Sequence, residues 1–139
     1  MRLEELFLKQ YVPEAEVYGK GLIPSFSIDS RTLEPGQIFL ALKGTTTNGH
    51  EFVAEAIRKG ASGVVFSQEH RALLKLFDQS FKTCTAVIVP DPLQAFIAWA
   101  SAWRQQFSYP VIAITGSVGK TSTKIMLEQV LLSAKKLCL

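Results

Sequence analysis

Val111-Ile112-Ala113-Ile114-Thr115-Gly116-Ser117-Val118-Gly119-Lys120-Thr121-Ser122 is the stretch around which the chain reads. An apolar run breaks into a Gly-rich turn, then Lys-Thr, then a helical pattern from about Thr123 to Leu132. The order predicts a strand, a phosphate-binding loop and a helix. Glycines let backbone N–H groups converge on an anion, and the helix that follows adds the positive end of its dipole. Lys120 is the candidate point charge for the outer phosphates. Thr121 is the candidate hydroxyl ligand of a magnesium ion bridging them. Five positions before Gly119, where the usual pattern has glycine, the chain has Ile114. The loop is therefore a shorter Gly-x-x-Gly-Lys-Thr variant opening at Gly116. Nucleoside triphosphate binding is the expectation, and an ordinary strand-to-helix turn is the alternative.

Outward from this loop, length raises a difficulty. The chain has 139 residues, and the loop lies about 20 residues before Leu139. A nucleotide-binding α/β domain needs several parallel strands beside the loop strand. Residues 91–139 are thus expected to be the incomplete start of a nucleotide-binding domain, in a truncated chain. Hydrophobic residues make up 47% and charged residues 19%, so the chain is globular rather than disordered. Net charge is +3 with Lys and Arg dispersed, which is thin support for nucleic-acid binding. Cys84 and Cys138 have no metal-site spacing and read as reduced thiols. Met1-Arg2-Leu3-Glu4-Glu5-Leu6 lacks a signal-peptide core, and no apolar run reaches membrane-spanning length. A soluble, cytoplasmic protein is expected.

Before the loop, strands and helices alternate, which predicts an α/β fold. Leu3, Leu6 and Phe7 recur at helical spacing, ending before Pro13. A short strand and turn follow over 17–24, and Phe26 to Arg31 alternates as a half-buried strand. Glu34-Pro35-Gly36-Gln37 is a turn, and Ile38 to Leu42 a continuous apolar strand. After the polar loop Thr45-Thr46-Thr47-Asn48-Gly49-His50, a helix from about Glu51 to Lys59 is capped by Gly60. Val64 to Phe66 and Ala86 to Val89 are buried strands, with a helix from Gln68 to about Phe77 between them. Pro90-Asp91-Pro92 is the candidate boundary, giving a first domain over 1–90. Leu93, Phe96, Ile97, Ala100, Trp103 and Phe107 then mark an amphipathic helix, and the segment from Leu93 onward is expected to be under-packed. If the strands at 26–31 and 38–42 pair, Ser30-Arg31 and the Thr-rich loop leave the sheet on one side. That arrangement is either a solvated loop or a pocket for a polar ligand such as a diphosphate. His50 reads as an exposed residue without a chemical role.

Several of these segments, in order and spacing, resemble one family. Asp29-Ser30-Arg31, Pro35-Gly36, Phe39-Leu40-Ala41-Leu42-Lys43-Gly44, Asn48-Gly49-His50 and Gly60-Ala61 resemble the N-terminal domain of the Mur ligases. Thr115 to Thr121 resembles their short phosphate loop, and the likeness runs from about residue 26 to 131. The resemblance implies an ATP-dependent, magnesium-dependent amide ligase of peptidoglycan synthesis. It would activate a peptide carboxylate as an acyl phosphate, which an incoming amine then attacks. Gly116, Ser117, Val118, Gly119, Lys120, Thr121 and Ser122 would hold ATP, with Lys120 catalytic and Thr121 on magnesium. Ile28, Ser30, Thr45, Thr46 and Thr47 would bind the UDP-linked precursor. Within the family, Ala41-Leu42-Lys43-Gly44 and the run from Gly116 to Lys124 lean to the branch that adds D-alanyl-D-alanine to UDP-N-acetylmuramoyl-tripeptide. The branch that adds the third amino acid and a non-catalytic UDP-sugar-binding module are the alternatives. A phosphate-loop kinase or switch protein would not carry the Ser-Arg and Thr-rich loops. Small-molecule partners, with no nucleic acid and no membrane, are implied.

Overall fold

The computed structural model describes residues 3–20, 25–77 and 83–134. The chain divides into two compact units, Met1–Phe107 and Ser108–Leu139.

In the first unit the described residues form a five-stranded sheet. Its strands are β1 (Glu16–Tyr18), β2 (Phe26–Ser27), β3 (Ile38–Leu40), β4 (Gly63–Ser67) and β5 (Thr85–Val89), ordered β1-β5-β4-β3-β2. From β2 to β5 all neighbours are parallel, and β1 joins the edge of β5 antiparallel. Every residue of β3, β4 and β5 is buried. Such unbroken apolar runs are what a parallel sheet covered on both faces requires. Alternation sorts the side chains. Phe39, Val64, Phe66, Ala86 and Ile88 face one core with Val53, Ala56 and Phe77. Ile38, Leu40, Val65, Val87 and Val89 face the other with Leu8, Ala95 and Trp99.

The first face is covered by α2 (Val53–Arg58) and by a 3₁₀ segment, Gln68–Phe77, kinked at His70. The second is covered by α1 (Leu3–Tyr11) and α3 (Pro92–Gln105). Asp91 starts α3, its carboxylate accepting from the backbone N–H groups of Leu93 (2.8 Å) and Gln94 (3.1 Å), with Pro92 at the first helical position. The buried Trp99 Nε1–H donates to the Leu8 carbonyl at 3.0 Å and joins α3 to α1.

Pro90-Asp91-Pro92 therefore does not end the compact unit. It turns the chain so that α3 folds back and closes the second face, with Ala95, Trp99 and Ala102 buried. The expectation of under-packing from Leu93 onward is corrected for this helix. The strand expected at 26–31 is shortened to β2, because the Asp29 carboxylate accepts from the Arg31 backbone N–H and turns the chain. Of the short strand and turn expected over 17–24, residues 21–24 lie outside the described residues, as does Cys138. Cys84 is a buried free thiol, and burial pushes its pKa up to about 11.

The second unit holds α4 (Lys120–Ser133), matching the expected helix. Residues 111–114, expected as a strand, form none. Val111 and Ile112 are exposed, and among the described residues no strand pairs with them. A strand exists only through a ladder with a neighbour, whatever its apolar content. No residue of α4 is buried, although Ile125, Met126 and Val130 are apolar.

The two tryptophans of α3 test which of its faces carries stability. Trp99→Ala is expected to cost about 3–5 kcal/mol, as for other buried aromatics. Trp103→Ala, at an exposed site, is expected to cost less than about 1 kcal/mol. Urea midpoints of the two variants measure the difference.

Candidate functional site

Because β2 and β3 are parallel, with Phe26 opposite Ile38 and Ser27 opposite Phe39, their carboxyl ends leave the sheet side by side. Parallel α/β sheets bind ligands outside such ends. A cavity of about 560 Å³ lies there, walled by Ile28, Asp29, Ser30 and Arg31 after β2, and by Leu42, Gly44, Thr47 and Gly49 after β3. Phe39 and Phe52 form its apolar floor.

Each wall is held by specific bonds. Ser30 is buried, and its carbonyl accepts from Lys59 Nζ at 2.7 Å. Arg31 grips the Asp29 carboxylate through Nε (2.9 Å) and Nη2 (2.7 Å). Those bonds, with the Arg31 backbone N–H, hold the Asp29 carboxyl at about 2, well below the usual carboxylate range. On the opposite wall the Gly44 N–H donates to the Thr47 carbonyl (2.9 Å) and the Gly49 N–H to the Leu42 carbonyl (2.7 Å). A Cβ on Gly49 would lie 2.6 Å from the Leu42 carbonyl oxygen, so only glycine lets the loop close there.

Of the five residues expected at the precursor, Ile28, Ser30 and Thr47 line this cavity. Thr45 and Thr46 are exposed at the tip of the same loop, off its wall. Arg31 and Gly49, which the sequence places beside the candidate pocket, also line it, whereas Asp29, Phe39, Leu42, Gly44 and Phe52 join the wall without a ligand role expected from sequence. Asp29, Phe39, Leu42 and Gly44 stand in the motifs that carry the family resemblance, but Phe52 does not, and their meeting at one cavity depends on the pairing of β2 with β3.

His50 differs most from its expectation, being 5% exposed. It is the second residue of the 3₁₀ turn Gly49–Phe52, capped by the Asn48 side chain. Its Nε2 accepts from the Ser67 backbone N–H at 3.1 Å, and its Nδ1 lies 2.7 Å from Asn48 Oδ1. Since both partners' roles are fixed, the proton sits on Nδ1 and the ring is neutral. Burial lowers its pKa to about 4, helped by His70 and Lys43 and opposed by Glu69. The ring stacks on His70 with centroids 3.8 Å apart.

The Gly-rich loop belongs to the second unit. Gly116 and Gly119 have φ of +146° and +81°, conformations that favour glycine, and Gly119 precedes the first turn of α4. No side chain caps that turn, which leaves its N–H groups to an anion. Lys120 Nζ donates back to the Gly116 carbonyl, and Thr123 Oγ1 donates to the Gly119 carbonyl at 2.9 Å. Ser117, Val118, Thr121 and Ser122 are exposed around the loop. The uncapped turn after Gly119 and the Lys120 ammonium folded back to Gly116 can accommodate an anion such as a polyphosphate.

The profile of the Mur ligase family, catalytic domain, matches residues 23–102. The chain belongs to the Mur ligase family. It is 38% identical over 109 residues to a UDP-N-acetylmuramoyl-tripeptide--D-alanyl-D-alanine ligase from Synechocystis, covering 78% of this chain and 22% of that Mur ligase. Another relative, the UDP-N-acetylmuramoyl-L-alanyl-D-glutamate--2,6-diaminopimelate ligase of Geobacillus thermodenitrificans, is 32% identical over 116 residues, 82% of this chain and 22% of its own length. Among solved Mur ligases, the D-alanyl-D-alanyl ligase of Acinetobacter baumannii aligns with a TM-score of 0.69 at 28% identity, over 92% of this chain and 27% of that one. A MurF ligase from Thermotoga maritima, solved in complex with ADP, aligns with a TM-score of 0.60 at 28% identity, over 78% of this chain and 23% of that one. The chain thus spans about a quarter of the length of these relatives. Among the described residues no helix is long and apolar enough to cross a membrane.

The neutral His50 gives a pH dependence whose sign follows from proton uptake. Its folded pKa lies below the ordinary imidazole value, so the unfolded chain binds the extra proton between about pH 6.5 and 4. Stability is therefore retained above that window and lost as pH falls through it. Between about pH 7.5 and 5 the loss is expected to be about 2 kcal/mol. Urea titrations across that range measure it, and His50→Gln should remove the slope. A slope equal in the variant would show that other groups carry it.

Proposed function

We propose that this chain is the N-terminal part of a ligase that adds D-alanyl-D-alanine to UDP-N-acetylmuramoyl-tripeptide, with ATP and magnesium, in the cytoplasm. In this reading the unit ending at Phe107 binds the UDP-linked precursor, and the unit from Ser108 begins the ATP-binding domain. The observation that carries it is the cavity at the carboxyl ends of β2 and β3, with Ile28, Ser30 and Thr47 on its wall. A uridine or diphosphate group there would meet an apolar floor at Phe39 and Phe52, the Arg31 guanidinium and the Thr47 hydroxyl. The D-alanyl-D-alanine branch is favoured because a second relative of that name, from Bacillus subtilis, is 35% identical over 118 residues. The relatives that add diaminopimelate support the second reading, a ligase that adds the third amino acid.

The chemistry divides between the two ligand sites. ATP supplies the phosphoryl group that activates the peptide carboxylate. Lys120 would neutralise charge on that group as it transfers, and Thr121 would hold magnesium beside it. Gly116 to Ser122 would orient the phosphates through backbone N–H groups. Ile28, Ser30 and Thr47, with Thr45 and Thr46 at the rim, would hold a part of the precursor that does not react.

Kinetics of a full-length ligase carrying these residues separate the roles. Lys120→Ala should lower kcat by about a thousandfold or more with precursor saturating. Ser30→Ala combined with Thr47→Ala should chiefly raise the precursor KM, by about 1–3 kcal/mol. The same change at Thr45 and Thr46 should do less, since these side chains lie off the cavity wall. An unchanged kcat in Lys120→Ala would refute the ATP-loop assignment. Turnover with diaminopimelate on the dipeptide precursor, and none with D-alanyl-D-alanine, would select the second reading.

A further inference from the structure

His50 lies between the cavity rim and the sheet, and the function proposed above gives it no task. Asn48, whose side chain it holds, sits between two residues of the cavity wall, Thr47 and Gly49. Asn48 Oδ1 also accepts from the His50 backbone N–H at 3.2 Å, so ring and backbone grip one oxygen. On its far side the ring accepts from the N–H of Ser67, the last residue of β4. A continuous path thus runs from β4 through the imidazole to the rim loop. It is complete in one protonation state only, with Nδ1 a donor and Nε2 an acceptor.

We propose that His50 is a positioning residue, a strut that ties the Thr47–Gly49 rim to the end of β4 while neutral and releases it when Nε2 takes up a proton. The part of this that concerns ligand affinity rests on the reading of the cavity as the UDP-precursor site. Protonation would set two donors, Nε2–H and the Ser67 N–H, against each other in a buried place, and the ring must leave to relieve them. The groups facing it decide how hard that is. Lys43 on the rim loop and His70 on the 3₁₀ segment oppose a positive ring, and Glu69 on the same segment favours one. Ser67 Oγ, 2.8 Å from His70 Nδ1, fixes the stacked neighbour in place.

Native-state hydrogen exchange of the 139-residue chain tests the strut without any ligand. The Ser67 amide donates to the ring, the Gly49 amide closes the rim loop beside it on the Leu42 carbonyl, and Val65 in the centre of β4 is the reference. Protection of Gly49 and Ser67 should fall by about ten- to thirtyfold between about pH 7.5 and 5, after correction for intrinsic rates. Their opening should depend little on urea, whereas that of Val65 should follow global unfolding. His50→Gln should abolish the pH response. His70→Phe, which keeps a stacked ring without its charge, should make the fall smaller by easing protonation of His50 in place. If Gly49 and Ser67 open only with Val65, or lose protection equally in His50→Gln, the strut is overturned. UDP-N-acetylglucosamine, whose diphosphate diester keeps one charge state over this range, reports on the ligand. It should bind at about pH 7.5 and lose about twofold in affinity by about pH 4 in the wild type but not in His50→Gln. An affinity indifferent to pH overturns the link to binding. Failure to bind at about pH 7.5 overturns the UDP assignment of the cavity, and the amides then decide the strut alone.

Discussion

Parallel pairing of β2 with β3 and of β3 with β4 is the constraint on which the rest of the first unit depends. A parallel ladder aligns the carboxyl ends of its strands, so loops far apart in sequence emerge together. Ser30 and Thr47 share a cavity for that reason. The same ladder buries both faces of the sheet, which forces the chain to supply cover twice. Here α2 and the 3₁₀ segment cover one face, and α1 with α3 covers the other.

The contrast between α3 and α4 shows how little a helical pattern says by itself. Both run for 14 residues and carry apolar side chains. In α3 an apolar stripe meets the sheet, and Trp99 finds both a core and a hydrogen-bond acceptor. In α4 the apolar residues lie on several sides and none is buried. Burial, not hydrophobic content, is what stabilises a helix of this length.

Polar groups hold the cavity where apolar packing stops. Lys59 reaches across to the Ser30 carbonyl, and His50 reaches from the rim to Ser67. Arg31 is exposed and Asp29 only half-buried, so their ion pair shapes the turn more than it stabilises the fold. Among the described residues no buried side-chain nitrogen or oxygen lacks a partner. A rim built this way is sensitive to the charge state of its members, because each buried bond needs a donor opposite an acceptor.

The sequence by itself determined the α/β class, the positions of β4 and β5, the helices α1, α3 and α4, the turn at Gly36 and the cap at Gly60. Those features are local: apolar periodicity, proline at a helix start and glycine at positive φ each act within a few residues. The Gly116 to Thr121 loop was legible for the same reason, and so was the family. Tertiary structure alone decided the extent of the first unit, since only packing of Trp99 against Leu8 shows that α3 belongs to it. It also decided that 111–114 forms no strand, because a strand needs a neighbour that no local pattern supplies. The cavity wall was half legible: Ile28, Ser30 and Thr47 were marked by motif, but Phe39, Phe52 and the loss of Thr45 and Thr46 from the wall followed from pairing and loop closure. His50 reads as exposed from sequence, because its burial depends on Ser67, 17 residues on, and on a second imidazole stacked against it. Such contacts are made by the ladder that aligns their elements, and no spacing along the chain encodes them.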